Sequence, residues 1–164
     1  MKSGICSSCR LPKALLVCEC CQANQCKSCA IKLKKNSFSF LPVIPTELTH
    51  LIYCGLCFDE KVAPALAAYN ETMAKARNVN VFFKTQSEET RLLKRAEKPI
   101  TVNQCEDKDE TLLRLAFLAA QAHFNTLIDV VIKSEKVRMQ AYQTTQWNGS
   151  GIPLYIDEAH LPKR

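Results

Sequence analysis

Residues 6–29 read CSSCRLPKALLVCECCQANQCKSC, and residues 54–57 read CGLC. Eight of the ten cysteines therefore fall into four C-x-x-C pairs: Cys6/Cys9, Cys18/Cys21, Cys26/Cys29 and Cys54/Cys57. Two thiolates separated by two residues can grip one metal ion from a single tight turn. Zinc takes four such ligands in a tetrahedron, so four pairs predict two Zn(II) ions. A loop-rich segment can then fold by coordination instead of by burying an apolar interior.

Working outward from that stretch, the rest of the chain is cysteine-poor. Residues 58–164 hold only Cys105, which reads as a small buried hydrophobe. The predicted organisation is a two-zinc module over residues 1–58, a linker helix over 59–78 and an α+β domain over 79–164. Disulfides are the competing use of paired cysteines. The start of the chain, Met1-Lys2-Ser3-Gly4-Ile5, has no apolar core of a secretory leader, so a reducing, cytoplasmic setting and bound metal are expected. No apolar run approaches the roughly 20 residues of a transmembrane helix. In Cys18-Glu19-Cys20-Cys21 three thiols compete for two positions. The C-x-x-C spacing favours Cys18 and Cys21, and replacement of either by Cys20 stays open.

The formal charge of +6 does not describe the first part of the chain. Residues 1–61 carry eight Lys/Arg and four acids. Eight thiolates and two divalent ions bring that part close to neutral, which weakens the case that the overall charge makes for nucleic acid, and nucleic acid is not expected as a partner of the chain. A local patch of Lys32, Lys34 and Lys35 follows the third pair and reads as a solvated loop.

Secondary structure is expected as follows. Ile31 to Tyr53 is irregular chain packing a small apolar patch over the second ion. A helix runs from Asp59 or Glu60, with Pro64 in its first turn, to about Arg77. Val79 to Phe83 alternates like a strand. Thr85-Gln86-Ser87-Glu88 resembles a capping box that opens a short helix through Ala96. Pro99 to Val102 is a short strand. Asp107 and Glu110 cap the strongest helix, Thr111 to His123, with Leu112, Leu115, Ala116, Ala119 and Ala122 as its apolar stripe. Leu127 to Ile132 is a buried strand, Ser134-Glu135-Lys136 a turn, and Val137 to Trp147 a returning strand. Asn148-Gly149-Ser150-Gly151 is a loop before a short edge strand at Leu154 to Ile156. The order is β-α-β-α-β-β, an α+β fold.

The spacing C-x2-C-x8-C-x2-C-x4-C-x2-C-x24-C-x2-C resembles the FYVE-type zinc fingers and their PHD-like relatives over residues 6–57. The resemblance implies a cross-brace: Cys6, Cys9, Cys26 and Cys29 on one zinc, Cys18, Cys21, Cys54 and Cys57 on the other. Closed metal sites and the absence of catalytic groups point to docking to a protein or membrane surface, the work of a zinc-binding adaptor. FYVE fingers that hold phosphatidylinositol 3-phosphate carry a basic run with paired histidines before the third cysteine. Here that place reads Lys13-Ala14-Leu15-Leu16-Val17, so the donors for a phosphomonoester are missing. Arg10, Leu11, Lys13, Leu15 and Leu16 could form a basic, apolar loop that touches a membrane, or leucines packed on the module. A RING-like ubiquitin-ligase component is the alternative. RING fingers use a histidine ligand, however, and His50 lies outside every pair. The segment from His123 to Tyr142 resembles a small bacterial heavy-metal-binding family of α+β domains, but holds no ligand cluster.

Catalysis has no signature. His50, His123 and His160 are far apart, no nucleophile motif or phosphate-cradling glycine loop occurs, and four-thiolate sites leave no open position for water. A polar cluster in a pocket of residues 79–164 would point to a hydrolase.

Overall fold

The computed structural model describes residues 4–160. Met1 to Ser3, where the leader-like stretch is expected to be lacking, lie outside the described residues. The chain divides into two compact units, Met1–Asn70 and Glu71–Arg164.

The first unit is made of short pieces, because its sequence offers no long apolar period. Strand β1 (Leu16–Val17) pairs antiparallel with β2 (Asn24–Gln25), and β3 (Ile31–Lys32) pairs with β4 (Ile52–Tyr53). The β1–β2 connection carries Cys18 and Cys21. The β3–β4 connection starts just after Cys29 and ends just before Cys54. Within it, Phe38 and Leu48 are buried together with Tyr53 of β4 and with Cys18, Cys54 and Cys57. The chain expected to be irregular from Ile31 to Tyr53 begins and ends in β3 and β4 and contains one 3-10 turn, Thr46–Leu48. Tyr53 O–H donates to the Glu47 carbonyl at 2.6 Å, which ties that turn to the strand.

The helix expected from Asp59 begins four residues earlier. Segment α1 (Gly55–Cys57), a π-helical turn (Phe58–Val62) and α2 (Ala63–Arg77) follow one another without a break. Cys54 is the N-cap, its Sγ accepting the Cys57 N–H at 3.4 Å. A cysteine is not an ordinary cap residue, so Asp59 carried the sequence signal instead. Pro64 accounts for the wide turn. It has no N–H, and in a regular helix its ring would crowd the Glu60 carbonyl. One π-turn just ahead of it relieves that clash. Tyr69 of α2 packs edge-on to Phe38, 5.4 Å between ring centroids.

The second unit is a four-stranded sheet of order β5-β7-β8-β6 with one helix on it. Strand β5 (Asn80–Phe83) runs parallel to β7 (Thr126–Met139). Strand β8 (Tyr142–Leu154) is antiparallel to β7 and to β6 (Ile100–Cys105). Helix α3 (Lys108–Gln121) packs on β6, β7 and β8. Its cap is the expected one: Asp107 Oδ1 accepts the Glu110 N–H at 2.7 Å, and Glu110 Oε2 reaches back to the Glu106 N–H at 2.7 Å. Leu115, Ala116 and Ala119 are buried as the stripe predicts. Phe117 and Ala120 are buried too, while Leu112 is half-buried and Ala122 exposed. Cys105 is buried, at 2% exposure.

Three expectations for this unit are corrected. The order is β-β-α-β-β, because no α-helix forms between Thr85 and Ala96. A single 3-10 turn, Lys84–Gln86, and further turns occupy that stretch. The capping signal is real in part, since Gln86 Oε1 accepts the Phe83 N–H at 2.9 Å. The following residues lack an apolar face, as Leu92 at 90% exposure shows. A short helix without tertiary packing does not hold in water. Second, Ser134-Glu135-Lys136 is not a turn. Strand β7 runs straight through it, and the hairpin closes at Gln140-Ala141, where Met139 faces Tyr142 and Gln140 has φ 53°. Third, Asn148 to Gly151 is no loop but the middle of β8. A Cβ on Gly149 would lie 2.6 Å from Thr111 Cγ2 and 3.1 Å from Leu115 Cδ1. Glycine is needed there so that α3 can approach the sheet, not for a bend.

The turns of residues 87–95 are held by one cation. Arg95 Nε donates to Asp129 Oδ2 at 2.6 Å and its Nη2 to Oδ1 at 3.2 Å, while Nη1 donates to the carbonyls of Thr90 and Leu93. Asp129 sits at φ 51° in a bulge of β7. The Arg95 hydrogen bonds hold its carboxyl below the ordinary value of 3.8, against the effect of burial. A depressed folded-state pKa gives stability that is complete above that ordinary value and is lost as pH falls below it. Asp129→Asn is therefore expected to cost about 1 kcal/mol at neutral pH. In urea unfolding the gap between the two proteins should narrow near pH 3. An equal gap at both pH values would contradict a charge-dependent tie.

Candidate metal centre

The four knuckles repeat one backbone geometry. The residue after each second cysteine donates its N–H to the carbonyl of the first: Arg10 to Cys6 at 2.9 Å, Gln22 to Cys18 at 2.8 Å, Ala30 to Cys26 at 2.9 Å and Phe58 to Cys54 at 3.0 Å. Such a turn aims both sulfurs to one side. Arg10 and Gln22 reach it with φ of 63° and 64°, a left-handed conformation that side chains other than glycine visit at a cost.

The sulfurs then gather as first pair with third and second pair with fourth. Those of Cys6, Cys9, Cys26 and Cys29 lie within 4.8 Å of one another, and so do those of Cys18, Cys21, Cys54 and Cys57. Cys9 and Cys26 are 3.9 Å apart at sulfur, and Cys21 and Cys54 are 3.7 Å. A tetrahedron with metal–sulfur bonds of about 2.3 Å has an edge of about 3.8 Å. A disulfide needs about 2.05 Å, and the ten cysteines are unbridged. Each group can thus hold a metal ion.

The protonation chemistry of the thiols has the same sense. Cys6 is drawn down to about 6, first by the N–H of Cys9 and further by those of Cys26 and Ser8, against burial. Burial is the largest influence on Cys18, yet the N–H groups of Cys21, Cys54 and Cys20 together bring it to about 6. Cys29 is pushed up to about 12 by the neighbouring sulfurs of Cys26 and Cys9. Cys57 is raised by burial and by Cys21 and Cys54. Each group readily carries one negative charge and resists the last. A divalent cation removes that resistance and releases protons as it binds.

Gln25 gives an independent test of fit. Its side chain is fully buried on β2, and Nε2 is an orphaned buried donor among the described residues. Its Oε1 accepts from Ser8 Oγ at 2.8 Å and lies 4.0 Å from Cys6 Sγ. A metal-bound Cys6 is a thiolate, with no proton to give to Oε1. The two ends of an amide are alike in shape, so a donor at the Oε1 position would face both Ser8 and the thiolate. With the amide so turned, its N–H would serve the Cys6 thiolate, which a metal-bound sulfur can accept. Gln25→Leu is expected to weaken metal retention about 10–100-fold in chelator competition. Unchanged retention would show that Gln25 only fills space.

Cys20 lies outside both groups of four. Its Sγ accepts from Lys61 Nζ at 3.1 Å, and that hydrogen bond raises the Lys61 pKa. His50 also stands apart from the sulfurs, 3.6 Å from Glu19 Oε2. Glu19 Oε2 accepts the Leu51 N–H at 2.9 Å, tying the second knuckle to the approach of the fourth. Gln25 and Glu19 have no signal in spacing or composition. Only the inward turn of β2 at Gln25 could have drawn attention to the first.

Of the leucines named as a possible loop, Leu11 and Leu15 are exposed and Leu16 is half-buried. Ala14 and Cys18 point inward at 7% and 0% exposure, while Leu15 and Val17 are 61% and 41% exposed on the alternate side. Ile5 at 61% and Leu11 at 48% are exposed as well.

In the second unit, a cavity of about 650 Å³ is lined by Lys75, Asn80, His123, Asn125, Tyr155 and Glu158 among others. It is a polar cluster of the kind a hydrolase reading asks for, though its lining includes no Ser, Thr or Cys nucleophile. Asn125 is engaged by the Ile156 backbone at 2.7 and 2.9 Å. Lys75 pairs with Glu71 at 3.1 Å. His123 closes α3 in the left-handed region, φ 67°. No helix among the described residues is long and apolar enough to cross a membrane. No family model, curated protein or solved structure matches the chain.

Proposed function

We propose that the chain is a zinc-binding interaction protein whose first unit is a FYVE-like, cross-braced finger holding two Zn(II) ions. Cys6, Cys9, Cys26 and Cys29 hold the first, and Cys18, Cys21, Cys54 and Cys57 the second. Four thiolates in a tetrahedron suit zinc among the common metals, and a closed set keeps the ion structural. The interleaved grouping of the sulfurs supports the cross-brace.

The task of the finger is docking to a protein or membrane surface. One observation carries this: Ile5, Leu11, Leu15 and Val17 are exposed on a small unit with Arg10 and Lys13 beside them. Val43, Ile44, Leu51 and Leu56 of this unit are exposed as well, without a cation cluster of this kind in the same stretch, and large apolar side chains left in water beside basic groups mark a contact surface. The phosphoinositide-specific donors are missing, so the contact is apolar with a general positive charge.

Flotation of the metal-loaded chain with phosphatidylcholine–phosphatidylserine vesicles separates the two surfaces. Flotation that disappears in Leu15→Asp assigns the face to a membrane. No flotation at physiological salt leaves a protein surface. A photo-crosslinker at position 15 should then give denser adducts than one at Leu92, and equal labelling at both positions would refute docking by this face.

A further inference from the structure

Past its middle, the sheet of the second unit narrows to two strands. Strand β5 accompanies β7 only as far as Phe83 opposite Val130, and β6 accompanies β8 only as far as Cys105 opposite Trp147. From Glu135 opposite Gln146 to Met139 opposite Tyr142, the β7–β8 hairpin stands alone. Its side chains are exposed on both faces, apart from half-buried Val137 and Gln146. An isolated two-stranded ribbon is marginal in water, so a surface of this kind gains from a partner.

The chemistry of the arm says which partner. Lys133, Lys136 and Arg138 face a single acid, Glu135. None of these cations is paired among the described residues. Elsewhere in the unit Arg95, Arg114 and Lys75 each hold a carboxylate. Alternation puts Lys136 and Arg138 on one face, about 7 Å apart, with their partners Thr145 and Gln143 beside them. Trp147, half-buried, lies at the base of the same face, opposite Ser134. That face has no exposed aliphatic side chain, so a bilayer would gain little from it; on the opposite face Met139 is 60% exposed beside Tyr142. At the tip, Tyr142 is 77% exposed next to Gln140 and Gln143.

We propose that this hairpin arm binds single-stranded nucleic acid without strict sequence preference. Lys136 and Arg138 on one face and Lys133 on the other meet phosphates, and Trp147 on the first face and Tyr142 on the second, at the tip, offer rings to bases of a strand that wraps the ribbon. The near-neutral charge that disfavours nucleic acid belongs to the first part of the chain. The arm lies in the second.

The test is fluorescence anisotropy of the metal-loaded full chain with labelled oligo(U) and oligo(dT) of about 20 nucleotides, long enough for one protein site. The expected dissociation constant is on the order of 10–100 µM at low salt, with a log–log salt slope of about −2 for three phosphate contacts. Lys136→Glu with Arg138→Glu should weaken binding about tenfold or more and flatten the slope. Tyr142→Ala should weaken it about fivefold or more, and Lys94→Glu, away from the arm, should leave it unchanged. These positions are exposed, so the variants keep the fold. Three results would each overturn the proposal. They are no anisotropy change at protein concentrations of a few hundred µM, equal binding by the arm variants, and arm-dependent flotation on anionic vesicles without oligonucleotide binding.

Discussion

Cys18→Ser is expected to unfold the first unit and leave the second folded. Cys18 has no exposure and lies among Phe38, Leu48, Tyr53, Cys54, Cys57 and Val62, so the sulfur is both a candidate ligand and part of the small apolar cluster. A structural zinc contributes about 10–16 kcal/mol to the fold of a small finger. That equals or exceeds the whole stability of an ordinary domain, about 5–15 kcal/mol. Losing one thiolate of four empties or weakens the second site. The loss then spreads, because Cys26 and Cys29 lie between Cys21 and Cys54 in the chain, and Cys18 and Cys21 lie between Cys9 and Cys26. Hydrogen exchange should show protection lost across residues 4–62 and retained in β7, β8 and α3. Loss confined to the second knuckle would mean that the sites are independent.

Gly149→Val is expected to destabilise the second unit by about 3 kcal/mol or more, beyond the usual range for one extra methylene in a packed core. The first atom added would already stand 2.6 Å from Thr111 Cγ2. Thr111 is fully buried, and its Oγ1 donates to the Asp107 carbonyl at 2.7 Å, so it cannot turn away cheaply. Three kcal/mol corresponds to a melting shift of about 12–24 °C for a domain of this size. The milder Gly149→Ala isolates the cause. Thr111→Ser removes the clashing methyl and keeps the hydroxyl, so the double variant should recover much of the loss of Gly149→Ala. Additive losses in that cycle would place the strain elsewhere.

What the sequence disclosed depended on how local the cause was. The C-x-x-C turns are local, and the capacity of paired cysteines to hold a metal ion was legible from spacing. The cap at Asp107 is local too, and α3 lies close to where its signals put it. Gly149 and Gly151 were misread because glycine marks turns by composition, while the cause is close approach: of Thr111 and Leu115, from a helix some 35 residues earlier, at Gly149, and of Val130 and Leu127 of β7 at Gly151. The hairpin tip was misplaced for the mirror reason: Gln140-Ala141 carries no turn signal, and Ser134-Glu135-Lys136 looks polar because the arm is exposed. Thr85 to Glu88 supplied a cap with no apolar face behind it. Gln25 was invisible, since an orphaned donor is defined only by what surrounds it.

The most direct measurement is native mass spectrometry of the purified chain, compared with its mass after acid denaturation. The native ion should exceed the denatured one by two zinc ions less the protons they displace, and the denatured ion should show ten free thiols by alkylation. A native mass without metal, or alkylation blocked at the paired cysteines by sulfur–sulfur bonds, would contradict a first unit that folds around its ions.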